Sequence, residues 1–162
     1  LGHVKYSKLI QDCFNDLGVV AENEAEIYQY VGDEVILTWR IADGLRNQNC
    51  LNAYYNFKQE LSRKQAYYQD KYNCEPFFKA GLNAGNVMVT EIGKYKKEIA
   101  YHGDTINTAA RIQGKCNDLN QGFLISESLK NKLKGSKFNF DLQGSISLKG
   151  KESEVSIYAV LK

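Results

Sequence analysis

The sequence predicts an α/β fold of the α+β kind: a ferredoxin-like sandwich with a mixed, mainly antiparallel sheet and helices packed on it. Three observations carry that expectation. Two short apolar runs are joined by Gly32-Asp33, residues 3–17 and 45–72 carry apolar side chains at helical spacing, and hairpins alternate with helices along the chain. With 162 residues, 43% of them hydrophobic, and a single proline, the chain has the composition of one globular domain with its own core.

Taken in order, residues 3–17 place Tyr6, Leu9, Ile10, Cys13, Phe14 and Leu17 on one helical stripe. On the same segment, the pair Asp12 and Asp16 reads as a solvated face rather than a carboxylate dyad. Residues 25–31 and 34–39 are strand-like and meet at Gly32-Asp33, which predicts a hairpin with Asp33 at its exposed tip. A long helix is expected over 45–72, where Cys50, Tyr54, Phe57, Leu61, Tyr68 and Tyr72 form a packing stripe rather than a cofactor box. Cys74-Glu75-Pro76 ends it, because proline cannot continue a helix. Residues 77–84 and 86–92 read as a second hairpin turning at Gly85-Asn86. A basic turn over 94–97 leads to a strand ending near His102, and Gly103-Asp104-Thr105 then opens a helix with Asp104 as its N-cap. The remaining elements are a strand at 122–126, a short helix at 127–133, and strands at 138–148 and 155–161.

Composition excludes several functions. Lys and Arg total 21 against 19 acidic residues, a net charge of +2 that gives no electrostatic case for nucleic acid. The longest apolar run, residues 157–161, is far shorter than the roughly 20 residues that cross a bilayer, so no membrane segment and no signal peptide are expected. Cys13, Cys50, Cys74 and Cys116 form no CxxC pair, which argues against zinc and for free, mostly buried thiols in a reducing, cytoplasmic setting.

Three local features could carry chemistry. Asp33, at a turn, is a hard-oxygen ligand suited to magnesium, which takes one or two carboxylates plus substrate phosphates. Asn107 and Arg111 lie four residues apart on one helix face, where a guanidinium can grip phosphate oxygens in a bidentate fork. Lys149, in Leu148-Lys149-Gly150-Lys151, could hold a phosphate in a turn before the last strand.

In this combination and order the features resemble the catalytic domain of the class III nucleotidyl cyclases, the adenylyl and guanylyl cyclase family. The strongest stretch runs from Phe78-Lys79-Ala80-Gly81-Leu82-Asn83-Ala84-Gly85-Asn86-Val87 to Tyr101-His102-Gly103-Asp104-Thr105-Ile106-Asn107-Thr108-Ala109-Ala110-Arg111. It is similar to the family's Gly-x-x-x-Gly hairpin followed by a Gly-Asp-x-Val/Ile-Asn-x-Ala-Ser/Ala-Arg helix opening. The likeness spans residues 1–162 as one catalytic domain, including the Gly-Asp hairpin and the Lys-Gly-Lys turn. It implies adenylate cyclase activity: ATP gives 3′,5′-cyclic AMP and pyrophosphate through attack of the ribose 3′-hydroxyl on the α-phosphate, assisted by two Mg²⁺ or Mn²⁺ ions.

The resemblance also implies roles. Asp33 matches a metal-holding aspartate, Asn107 the asparagine that positions the ribose, and Arg111 the arginine that stabilises the α-phosphate in the transition state. Lys149 matches the lysine on the terminal phosphates. The family's site lies between two subunits, so a homodimer would have two composite sites, and a fused sensor or regulatory domain is expected in a parent protein that could itself be anchored in a membrane.

The match departs from the family at two places. Gln29 and Ala100 stand at the base-reading positions, where adenylyl cyclases carry lysine with aspartate or threonine and guanylyl cyclases carry glutamate with cysteine. The Gln29 amide can pair with an adenine edge, which favours ATP over GTP with a relaxed preference. The family's opening strand, with its first metal aspartate, has no counterpart here, so the domain is expected to be truncated at its N-terminus and inactive alone. Rival readings are a diguanylate cyclase of the GGDEF type, which wants glycine where Val31 stands, and an inactive cyclase-like dimerisation module, against which the retention of Asp33, Asn107, Arg111 and Lys149 speaks. The last rival is a ferredoxin-like domain without nucleotide chemistry.

Overall fold

In the computed structural model, which describes residues 1–95, 98–148 and 153–162, the chain packs as two compact units, Leu1–Phe78 and Lys79–Lys162. The first unit begins with helix α1 (His3–Asp16), which buries Leu9 and Cys13 as their spacing predicts. A 3₁₀ segment, Leu17–Asn23, closes on Glu24 in a left-handed conformation and turns the chain into strands β1 (Glu26–Val31) and β2 (Glu34–Thr38). They pair antiparallel, with Val31 opposite Glu34 across the two-residue turn Gly32-Asp33. Gly32 has φ +62 at the first central position, the conformation that a II′ hairpin turn takes from glycine.

The helical region departs from the single helix expected over 45–72. It is divided into α2 (Ile41–Leu45), a 3₁₀ turn at Arg46–Gln48, α3 (Asn49–Arg63) and α4 (Gln65–Tyr72). Asn47 and Gln48 sit in left-handed conformations, a local choice open to asparagine that apolar spacing does not encode. Around the break, Asn49 Nδ2 donates to the Asp43 carbonyl at 2.9 Å, and Arg46 grips Glu24 through both carboxylate oxygens. The core of this unit joins Leu9, Cys13, Leu17 and Val20 to Ala53, Phe57, Leu61, Tyr68 and Tyr72. Each such large apolar side chain contributes about 1.5–3 kcal/mol by leaving water. Of the expected stripe, Phe57, Leu61, Tyr68 and Tyr72 are therefore packing, while Tyr54 is half-buried.

Asp12 and Asp16 correct the sequence reading of a solvated helix face. Asp12 accepts from the hydroxyls of Tyr67 (2.8 Å) and Tyr72 and from Lys71 Nζ (3.1 Å). Asp16 accepts from the Tyr68 hydroxyl and from Lys64 Nζ at 2.8 Å. The donors lie 48–60 residues along the chain, on α4 and at its N-terminal boundary, beyond the reach of any local pattern.

The second unit is a four-stranded sheet of order β3-β6-β8-β7, built from β3 (Ala80–Leu82), β6 (Phe123–Ser126), β7 (Asn139–Ser147) and β8 (Glu154–Leu161). β3 runs parallel to β6, and the other pairs are antiparallel, so the sheet is mixed as predicted. The hairpin expected at Gly85-Asn86 does not form. Instead β4 (Met88–Ile92) pairs antiparallel with β5 (Glu98–His102), while β3 finds its partner across a long crossover through helix α5 (Asp104–Gly114). Parallel pairing needs such a crossover, and it is decided by contacts distant in sequence.

Gly81 shows why glycine holds the centre of β3. A Cβ there would lie 2.3 Å from the Gln113 backbone nitrogen and 2.7 Å from the Ala109 carbonyl oxygen, so α5 lies directly on the strand. Ile112 and Cys116 are thereby buried with Leu124, Ile146, Ile157 and Ala159. Helix α6 (Glu127–Lys132) follows β6 and is capped by Ser126 Oγ, which accepts from the Leu129 N–H.

All four cysteines are free thiols, with Cys13, Cys50 and Cys116 buried and Cys74 half-buried. Burial pushes the Cys13 and Cys50 thiols up to about 11, which keeps them protonated and unreactive. No helix among the described residues is long and apolar enough to cross a membrane.

Candidate active site

The tight β1–β2 turn carries Asp33 into solvent. Its Oδ2 accepts from the Tyr6 hydroxyl of α1 at 2.8 Å, and that hydrogen bond to the carboxylate raises the Tyr6 pKa. The contact fixes the carboxylate and leaves Oδ1 without a partner among the described residues. The sequence placed Tyr6 on the apolar stripe of α1, but the structure leaves it exposed and turns its hydroxyl to Asp33, a partner 27 residues away that helical spacing does not reveal. Gln29 lies on the same hairpin, exposed and opposite Ile36 just beyond a register shift.

In the second unit, α5 presents Asn107 and Arg111 on one exposed face, a single turn apart. The neighbouring Thr108 and Ile112 are buried and fix the rotation of the helix. No hydrogen bond or ion pair holds Asn107 or Arg111 to another described residue. A guanidinium left without an internal partner on a rigid helix is available to a phosphate. The expected N-cap is corrected: Gly103 occupies it, with φ +116, and Asp104 is the first helical residue. That φ suits glycine, and the Asp104 carboxylate still favours the positive end of the helix dipole. Ala100 sits on β5, opposite Thr90 of β4. Lys149 lies outside the described residues.

A cleft of about 320 Å³ opens beside the N-terminus of α5, lined among others by Asn83, Asp104, Thr105, Thr108, Ser128 and Leu148. Neither Asn107 nor Arg111 lines it. Its wall is tied internally, since Thr105 Oγ1 donates to the Asn86 carbonyl at 2.7 Å and Asn83 Nδ2 donates to the Thr105 carbonyl at 3.2 Å. A Cβ on Gly85 would lie 2.7 Å from Thr105 Oγ1, so this segment approaches the helix start at glycine distance. These bonds set where α5 begins, and hence where Asn107 and Arg111 stand.

Among the described residues no group of three or more His, Cys, Asp or Glu side chains could hold a metal ion by itself. The exposed Asp33 carboxylate fits a magnesium ion shared with a substrate, because that ion accepts one or two carboxylates and completes its shell with phosphates and water.

A family model described as the adenylate and guanylate cyclase catalytic domain matches residues 4–162. The chain belongs to that family. Among curated relatives of this cyclase domain, Adenylate cyclase 2 of Rhizobium meliloti (strain 1021) is 30% identical over 135 residues, which is 83% of this chain and 37% of that protein. The chain therefore spans little more than a third of the length of that relative. The crystal structure of the adenylyl cyclase CyaB from P. aeruginosa superposes with a TM-score of 0.81 at 19% identity, covering 100% of this chain and 85% of the other. The guanylate cyclase domain of RhGC from Catenaria anguillulae, in complex with GTP, gives 0.70 at 16% identity, covering 99% of this chain and 85% of the other. At these identities the two structures establish the fold, and the mixed α+β architecture of the cyclase domain is theirs.

Proposed function

We propose that this cyclase domain converts ATP to 3′,5′-cyclic AMP and pyrophosphate in a homodimer, with GTP as a poorer substrate. The observation that carries the reading is the pairing of Asn107 with Arg111 on one exposed face of α5, both without an internal partner. Asn107 orients the ribose, so that its 3′-oxygen lies in line with the α-phosphorus. As that oxygen gives up its proton to solvent and forms its new bond to the α-phosphorus, the bond from the α-phosphorus to the bridging oxygen breaks and charge grows on the α-phosphate. The Arg111 guanidinium stands ready to meet it, and fixed charge aimed at a developing oxyanion typically contributes about 10²–10³-fold in rate. Lys149 holds the terminal phosphates that leave as pyrophosphate.

Asp33 of one subunit works with Asn107, Arg111 and Lys149 of the other. Its free Oδ1 would hold Mg²⁺ or Mn²⁺, two ions per site, which when bound lower the pKa of the 3′-hydroxyl and offset phosphate charge. The adenylate cyclase relative supports ATP, as does the Gln29 amide, which offers both a donor and an acceptor to a purine edge. The length of that relative supports a parent protein with a further sensor or regulatory domain, and a nucleotide substrate supports a cytoplasmic site of action. The test is the full-length parent protein incubated with ATP or GTP and Mg²⁺ or Mn²⁺, its products separated chromatographically. Cyclic AMP and pyrophosphate in equal amounts are expected. A folded dimer that forms neither cyclic nucleotide would reduce the domain to a regulatory module.

A further inference from the structure

Position 100, the second base-reading position that the resemblance implies, is an alanine, whose side chain offers no polar atom. Resting on the nucleotide site proposed above, the β4–β5 ladder supplies a replacement. Ala100 pairs directly with Thr90, and opposite residues of an antiparallel pair project to the same face, with Cβ atoms about 4.5–5.5 Å apart. Thr90 is the half-buried residue in the middle of a strand whose other four residues are exposed. Its Oγ1 lies 2.7 Å from Nε2 of His102, which is two residues beyond Ala100 and so projects to that same face. Position 100 thus carries a methyl group, a hydroxyl faces it across the ladder, and an imidazole fixes that hydroxyl.

We propose that Thr90 is the second reader of the purine base, oriented by His102, and replaces a polar side chain at position 100. A hydroxyl has one proton and two lone pairs, and the bond to His102 commits part of that capacity. When Nε2 is the acceptor, Thr90 donates its proton to the ring and turns its lone pairs outward. That arrangement accepts from the 6-amino group of adenine and meets the 6-carbonyl of guanine acceptor to acceptor. The opposite tautomer would make Thr90 a donor and favour guanine. An ATP preference therefore corresponds to His102 with its proton on Nδ1. His102 acts through Thr90 and is a positioning residue.

The experiment measures kcat and KM for ATP and GTP in the full-length protein and in Thr90→Val, Thr90→Ser and His102→Ala. Valine keeps the β-branched shape that suits a strand and removes only the hydroxyl. The expected result is an ATP-over-GTP preference that falls about threefold to tenfold in Thr90→Val, the worth of one hydrogen bond, mostly through KM. Thr90→Ser should restore it, and His102→Ala should weaken it by a smaller factor, all at unchanged melting temperature. A Thr90→Val enzyme that keeps both its turnover and its ATP/GTP ratio would overturn the assignment and leave the cyclase reading standing. A ratio that shifts in Thr90→Val but is not restored by serine would assign the effect to packing and overturn it equally. A wild-type protein that cyclises neither nucleotide would remove the reading beneath it.

Discussion

Helices α1 and α5 use their polar residues in opposite ways. On α1, Asp12 and Asp16 take hydrogen bonds from three tyrosines and two lysines, and their side chains retain only 22% and 10% of their exposure. On α5, Asn107 and Arg111 stand in solvent and are tied to no other described residue. Both pairs sit one turn apart on an amphipathic helix, so spacing alone cannot tell them apart. What separates them is whether the fold itself satisfies the polar groups. Carboxylates that accept from phenols and ammonium groups are committed to holding two helices together. The amide and the guanidinium stay open to solvent, beside buried Thr108 and Ile112 that fix their direction, which is the state the proposed ligand role requires.

The contrast is broken most severely by exchanging the two kinds of loss. Arg111→Ala removes a group that the fold does not use, so activity should fall about 10²–10³-fold, chiefly in kcat. Its effect on stability should stay within about 0.5 kcal/mol, as for other surface positions without partners. Steady-state kinetics beside a denaturant melt would show both. An equal loss in substrate binding and kcat/KM at unchanged kcat would move Arg111 from the transition state to ground-state binding.

Asp12→Ala should do the reverse. It leaves the hydroxyls of Tyr67 and Tyr72 and the Lys71 ammonium without their shared acceptor, which costs about 1–3 kcal/mol. A smaller effect of the same group appears with pH. Burial opposes the charge on Asp12, but hydrogen bonds from Tyr72, Tyr67 and Lys71 outweigh it and hold its pKa below the 3.8 of a free aspartate. A carboxyl whose folded pKa is depressed contributes stability above its unfolded value and loses it as pH falls through the folded one. Wild-type stability should therefore decline as pH drops below about 4, and the Asp12→Ala melts should decline less steeply over that range. Parallel slopes in the two proteins would remove Asp12 from the acid-sensitive groups.

How much of this was legible in the sequence follows from distance along the chain. The β1–β2 hairpin was readable because Gly32 and Asp33 are adjacent and the turn depends on them alone. The face shared by Asn107 and Arg111 was readable for the same reason, since helical spacing is local. The strand partners of residues 80–92 were not. Gly85-Asn86 looks like a turn, yet β3 pairs with β6 some forty residues later, and β4 pairs with the strand that follows it. The clamp on Asp12 and Asp16 was hidden because its donors lie so far downstream, and Tyr6 beside Asp33 was hidden likewise. Gly103 displaced Asp104 as N-cap because a left-handed φ just before the helix was required, and glycine meets that requirement where aspartate is strained.

The central claim is that Asp33 of one chain and Asn107 with Arg111 of another complete one site. Co-refolding full-length Asp33→Ala with full-length Arg111→Ala tests it most directly. Each variant alone should be folded, dimeric and nearly inactive. In an equal mixture half the dimers pair one chain of each kind, and each of those retains one intact site, so about a quarter of wild-type cyclase activity should return. Mixed dimers that form yet recover nothing would contradict the shared site.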